Sequence, residues 1–247
     1  MISLVLRSAV FTGFMILSVV VVGWAVILGV VLPFPVRYRV APWWARMNLA
    51  LLRRLCGLDY RVEGAEHIGE YNGIAMWKHQ SAWETIAQIA IFPIQAWVFK
   101  RELMWVPILG WALACMRPIA INRKGGRAAV QQVLRQGRER LEAGEWVMIF
   151  PEGTRMPPGT TRRYGVSGAL LSTQTGYPIV PVAHNAGDFW PRRGLRKRPG
   201  TVIVRIGPPI EPRGRRPDEI NREVQEWIEA QMREISSNYQ EASAQQE

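Results

Sequence analysis

The sequence is poor in the residues from which metal sites and disulfide frameworks are built. It has two cysteines and three histidines in 247 residues, and none stands at the C-x2–4-C or H-x3–5-H separation of a zinc site. Cys56 and Cys115 lie in apolar surroundings, which fits a reducing compartment and no disulfide. The nucleotide-binding loops are missing too. No G-x-x-x-x-G-K-[ST] phosphate loop and no G-x-G-x-x-G fingerprint occurs. The nearest approach to a serine elbow is Gly165-Val166-Ser167-Gly168, whose second glycine comes one position too early for G-x-S-x-G. A P-loop NTPase, a dinucleotide enzyme and a serine hydrolase are therefore poor explanations. No metal and no cofactor are expected. Acidic residues are also scarce, 20 against 31 Lys and Arg, a net charge of +11 and a pI near 10.4. That excess asks for an anionic partner, and nucleic acid and an acidic membrane surface both fit it.

What is present first is a long uncharged run. Val10–Leu32 has no charged residue over 23 positions, and as a helix it would extend roughly 34 Å, enough to cross a bilayer core. A signal peptide is the competing reading. Its apolar region is shorter and ends at a small-residue cleavage site, and PFPVRYR downstream offers none. A retained anchor is the expectation. Arg7 precedes the run, whereas Arg37, Arg39, Arg46, Arg53 and Arg54 follow it, which places the following domain on the cytoplasmic side. Trp43–Leu55 reads as a second helix, with Trp44, Met47, Leu51 and Leu55 on one face and Arg46 and Arg53 opposite. It either lies in the membrane interface or packs on the domain as a surface helix. The 11 tryptophans, many beside basic residues, suit an interface.

From Tyr60 strands and helices alternate. Strands are expected at Gly73–Trp77, Ala96–Phe99, Pro118–Asn122, Trp146–Phe150, Ile179–Ala183 and Thr201–Ile206, and helices at Ala82–Ile91, Glu102–Cys115, Arg127–Ala143 and Pro217–Ile235. Alternation of this kind predicts an α/β fold, a mostly parallel sheet flanked by helices, behind a membrane-associated helical amino terminus. The divisions are 1–58 for the anchor and amphipathic helix, 59–236 for the α/β domain, and 237–247 for a polar tail expected to be disordered.

Four stretches carry chemistry. In Ile74–Glu84, IAMWKHQSAWE, an apolar strand turns polar at Lys78 and resumes as a helix from Ala82. His79 and Glu84 are five apart across that turn, a spacing that lets the carboxylate hold one imidazole nitrogen while the other faces a cleft. In Phe150-Pro151-Glu152-Gly153-Thr154-Arg155, Gly153 permits a tight turn and Arg155 offers a planar fork for a phosphate; Glu152 can cap, bridge or contact substrate hydroxyls. Lys100 and Arg101 sit where a strand meets a helix, either an anion site or an ordinary charged helix start. In Ile179–Asn185, Pro181 suggests a strand edge or end, and His184 is a rival base with no carboxylate at comparable spacing.

Together and in this order these stretches resemble the glycerolipid acyltransferases, specifically the bacterial 1-acylglycerol-3-phosphate acyltransferases. KHQSAWE is similar to the family's Asn/Lys-His-x4-Asp block, FKRELMWVPILGW to its second, FPEGTR to its third and IVPVAHN to its fourth. One departure is that Glu84 stands where the family usually has Asp. The resemblance implies direct acyl transfer from acyl-CoA or acyl-carrier protein to lysophosphatidic acid at the inner membrane, among anionic lipids. His79 would be the base and Glu84 its orienter. Lys100, Arg101 and Arg155 would hold the phosphate, with Glu152, Gly153 and Thr154 shaping that pocket. It leaves the oxyanion donor unnamed. A relative acting on another lyso-lipid, such as lyso-ornithine lipid, and a non-catalytic basic membrane protein are the rivals. Nucleic acid is disfavoured, because the apolar run ties the chain to a bilayer and no recognition motif is visible.

Overall fold

A computed structural model describes residues 3–239. The uncharged run occupies α1 (Leu4–Leu28) from Val10 on, the 3-10 turn that follows it (Gly29–Val31) and Leu32. α2 (Phe34–Tyr38) and α3 (Val40–Cys56) lead into the first strand. The strands are β1 (Leu58–Glu63), β2 (Ile74–Trp77), β3 (Gln95–Lys100), β4 (Ile119–Ile121), β5 (Trp146–Ile149), β6 (Ile179–His184) and β7 (Gly200–Ile206). Between them run α4 (Trp83–Ile91), α5 (Leu109–Cys115), α6 (Arg127–Glu142), α7 (Ser167–Thr175) and the short α8 (Ala186–Phe189), and α9 (Pro217–Ile235) follows β7.

One seven-stranded sheet has the order β1-β7-β6-β2-β5-β3-β4. Every pairing is parallel except β6 with β7. β2 is central, and its four residues are all buried. Successive side chains of a strand face opposite ways, so Ala75 and Trp77 join the core under α3 and α4, and Ile74 and Met76 join the core under α6, α7 and α9. The carboxyl ends of β2, β3, β4, β5 and β6 therefore share one edge of the sheet, where α/β folds place ligands.

Several segments depart from expectation, among them α7, which is not among the expected helices. Leu58–Glu63, an edge strand with only Leu58 fully buried, lacks the apolar run that would announce it. Glu102–Cys115 is not one helix: a 3-10 turn over Arg101–Trp105 breaks before α5. Pro107 supplies no backbone N–H and disfavours helix at Val106. Ile108 then takes φ 64°, and the Leu109 N–H bonds back to the Pro107 carbonyl at 2.7 Å. Pro181 lies in an interior strand, not at an edge. Its missing N–H faces the gap between the Val182–Ile206 pair and the Ile179–Ile210 bridge, where β7 ends. The start of the polar tail is also held. Asp188 accepts hydrogen bonds from the Ser236 hydroxyl and the Asn238 amide, both at 2.8 Å, and Tyr239 is buried. Residues 240–247 lie outside the described residues.

α1 is long and apolar enough to cross a membrane. Its Ser8, Phe11, Ser18, Gly23 and Val26 are nevertheless buried, while Ile16, Leu17, Val21 and Leu28 on the other side are exposed. α1 thus lies along α3 and α5 with one face packed and one uncovered. α3 packs on α1 and α4, burying Ala45, Asn48, Leu49 and Leu52. The face of Trp44, Met47, Leu51 and Leu55 is half-buried.

Candidate active site

The buried strand β2 delivers Lys78 and His79 to the carboxyl edge, and α4 begins four residues later. A helix start leaves backbone N–H groups pointing outward and favours an anion beside them. Glu84, in the first turn of α4 and fully buried, occupies that position. Its Oε1 accepts the backbone N–H groups of Gln80 at 2.9 Å and Ser81 at 2.8 Å, and also bonds His79 Nδ1 at 2.9 Å. The carboxylate is an acceptor only, so Nδ1 carries the proton and Nε2 keeps its lone pair. The imidazole stacks on Phe150, centroids 4.0 Å apart and planes at 20°. Burial lowers the pKa of His79 despite the opposing pull of Glu84, and the charges of Arg155 and Arg123 lower it further. His79 is thus neutral at pH 7, the form a base requires. Burial pushes the Glu84 carboxyl up, but its bond with His79, the neighbouring imidazoles and the Ser81 amide together hold it below the ordinary range.

His184, the rival, is spent on structure. Its Nε2 donates to the Lys78 carbonyl at 2.8 Å and its Nδ1 accepts the Ala186 N–H at 3.2 Å. With both nitrogens engaged and the ring fully buried, it has no lone pair to offer a substrate. It fixes the end of β2 from below, 3.9 Å from Glu84 Oε2.

The FPEGTR loop follows β5 and closes over His79. Glu152 Oε2 accepts the His79 N–H at 2.8 Å, and the Met156 N–H donates to the His79 carbonyl at 2.7 Å. Both backbone groups of His79 are thus held by one loop. Of the roles open to Glu152, bridging is the one it takes. It is buried, and its Oε1 pairs with Lys78 Nζ at 2.7 Å. Lys78, itself fully buried, also pairs with Glu229 on α9 at 2.8 Å. Removing Lys78 alone would strand two buried carboxylates, a loss of about 3–5 kcal/mol. Gly153 has φ 66°, a backbone region that costs a side chain but not a glycine.

Arg155 is half-buried and lines an apolar cavity of about 300 Å³. The cavity runs from Phe150 and Arg155 beneath β3 to Val22 and Gly23 of α1, Trp44 of α3, Ile89 of α4 and Leu113 of α5. Thr154 is half-buried beside Arg155. Lys100 and Arg101 are exposed at the end of β3, where Lys100 pairs with Glu102 at 3.3 Å. The charges of Arg155 and Arg123 both lower the His79 pKa. Arg123 did not stand out in the sequence. It follows the three-residue strand β4, and its guanidinium donates to the Gly153 carbonyl, which brings a second cation to the FPEGTR turn. A lone arginine after so short a strand gives no signal of its own. Among the described residues no three His, Cys, Asp or Glu side chains gather as a metal site.

The description "Acyltransferase" belongs to the family model that matches residues 59–185, from β1 to the end of β6. A 1-acyl-sn-glycerol-3-phosphate acyltransferase of Pseudomonas aeruginosa is 43% identical over 217 residues, covering 86% of this chain and 84% of that protein. The chain belongs to the acyltransferase family. A relative of the same name from Limnanthes alba is 28% identical over 204 residues, 81% of this chain and 72% of its own length. This acyltransferase also shares its fold with the crystal structure of the 1-acyl-sn-glycerophosphate (LPA) acyltransferase PlsC from Thermotoga maritima, with a TM-score of 0.77, 22% identity, and coverage of 93% and 95% of the two chains. The mostly parallel sheet behind amino-terminal helices is thus a fold the two structures share.

Proposed function

We propose that this acyltransferase moves a fatty acyl group from acyl-CoA or acyl-carrier protein to the sn-2 hydroxyl of 1-acylglycerol-3-phosphate, giving phosphatidic acid for phospholipid synthesis. His79 Nε2 takes the proton of that hydroxyl as its oxygen attacks the thioester carbonyl. Glu84 holds the Nδ1–H tautomer and stabilises the imidazolium, the division of labour in a serine triad with the substrate alcohol in place of serine. The tetrahedral intermediate collapses with expulsion of the thiolate, which takes the proton back from His79. No acyl-enzyme and no cofactor enter the scheme. Arg155 and Arg123 hold the glycerol phosphate, with Lys100 and Arg101 nearer solvent, and Gly153 and Thr154 shape the turn between them. The apolar cavity takes the acyl chain. α1 and α3 seat the enzyme on the cytoplasmic side of the inner membrane among anionic lipids, the exposed face of α1 in the bilayer.

The observation that carries this reading is the conjunction of an oriented, neutral imidazole, two arginines and an apolar cavity at one sheet edge. The test is His79→Ala, assayed with lysophosphatidic acid and both thioester donors. Turnover should fall by about 10⁴-fold or more while the protein folds and sediments with membranes. Near-normal turnover would sink the mechanism.

A further inference from the structure

Glu229 lies on α9, beyond the 59–185 stretch that matches the family model. We propose that Glu229 and Lys78 are positioning residues for acyl transfer, acting through Glu152 to hold the backbone of the catalytic His79. The inference rests on His79 being the base.

Lys78 Nζ is wholly buried and donates to Glu152 Oε1 at 2.7 Å, Glu229 Oε1 at 2.8 Å and the Thr160 carbonyl at 3.2 Å. Two carboxylates thus share one cation. Glu229 Oε1 is further anchored by the hydroxyls of Tyr164 and Thr161, both at 2.8 Å. Among the described residues Glu152 has no comparable set of hydroxyl donors; its remaining oxygen accepts the His79 N–H. The groups facing Glu152 are Lys78 from the end of β2, the His79 amide, Glu229 from α9, and Tyr164 and Tyr239 packed about Glu229. Burial raises the Glu152 pKa to about 7 against the pull of Lys78, and the charge of Glu229 pushes it the same way. Protonating Glu152 weakens its grip on Lys78 and on the amide that sets the imidazole. Activity should therefore decline as pH falls through the Glu152 titration, above the titration of His79 itself.

The experiment is the pH dependence of kcat at saturating lysophosphatidic acid, on full-length membrane-bound protein. The substrate phosphate titrates in the same range, but equally for every variant, so differences between variants belong to the protein. Glu229→Gln keeps an oxygen for Lys78 and the hydroxyls but removes the repelling charge. Its acid limb should move down by roughly one pH unit. Glu152→Gln keeps an acceptor for the His79 amide and removes the titrating group, so its limb should fall to that of His79. The double variant should match Glu152→Gln alone, because Glu229 acts only through Glu152. An acid limb that stays at the wild-type pH in either single variant overturns the proposal. So does a Glu229→Gln shift of the same size in the Glu152→Gln background. His79→Ala in parallel separates the two claims. If it stays active, the base assignment is wrong; if it is dead and the limbs do not move, only the positioning role is wrong.

Discussion

Glu84→Gln tests the geometry of the site with almost no change in shape. In the wild type one carboxylate satisfies four contacts. Its Oε1 bonds His79 Nδ1, Gln80 N and Ser81 N, and its Oε2 accepts from Ser81 N at 3.0 Å. A carboxamide has one acceptor and one donor end. If its oxygen takes the crowded Oε1 position, the NH2 points at the Ser81 N–H and lies 3.9 Å from His184 Nε2, donor against donor. If it flips, the NH2 donates to His79 Nδ1, the imidazole proton moves to Nε2 and the base is lost, while the Gln80 amide faces a donor and Ser81 keeps only the oxygen at 3.0 Å. Either way the negative charge that stabilises the imidazolium is gone. The loss in kcat should be about 10³–10⁴-fold, or about 4–5.5 kcal/mol of transition-state stabilisation. KM for lysophosphatidic acid should change little, because Glu84 is fully buried and spends its oxygens on groups of the protein. The assay is steady-state transfer from radiolabelled acyl-CoA, with circular dichroism and membrane sedimentation to show that the fold survives. Glu84→Asp refines the test. It withdraws the carboxylate by about one carbon–carbon bond, ~1.5 Å, so the 2.9 Å bond to Nδ1 lengthens beyond hydrogen-bonding range unless α4 advances. A kcat below wild type but well above Glu84→Gln is expected. A folded Glu84→Gln within tenfold of wild-type kcat would refute the orienting role.

The other perturbations probe the two ends of the site. Arg155→Ala and Arg123→Ala should each raise KM for lysophosphatidic acid about 10–100-fold, the value of one charge-assisted hydrogen bond of roughly 1.5–3 kcal/mol. A neutral lyso-lipid acceptor should be indifferent to both, and an unchanged KM for lysophosphatidic acid in either variant would remove that arginine from the phosphate site. Val22→Phe adds bulk to a side chain that lines the cavity. Donors long enough to reach that point should lose about 1.6 kcal/mol for two displaced methylenes, roughly fifteenfold in kcat/KM, while short-chain donors keep their rate. Equal losses across a chain-length series would mean that the acyl chain lies elsewhere.

How much of this was legible in the sequence depends on how far each partner lies along the chain. The His79–Glu84 pair was readable because strand, turn and helix bring residues five apart together locally. The alternation of apolar segments likewise gave the mostly parallel sheet, and Pro217–Ile235 is the predicted helix to the residue. What escaped is non-local. Lys78 meets Glu229 across 151 positions, and Arg123 meets the Gly153 carbonyl across 30; no periodicity encodes either encounter. The roles of Glu152 and His184 were open for the same reason. Glu152 stands one residue before the glycine of a turn, a place that suits a solvent-facing contact as well as an inward bridge. Only the sheet order β6-β2-β5 decides between them, by setting the FPEGTR loop on one side of His79 and His184 on the other. The order also explains why the chemical stretches are spread over nearly half the chain, from Ile74 to Asn185. Parallel neighbours need a crossover between them, so residues that must converge at one sheet edge have to be dispersed in sequence. The exception is the hydrogen-bonded pair His79 and Glu84, whose 2.9 Å contact tolerates little error and which is carried by a single turn.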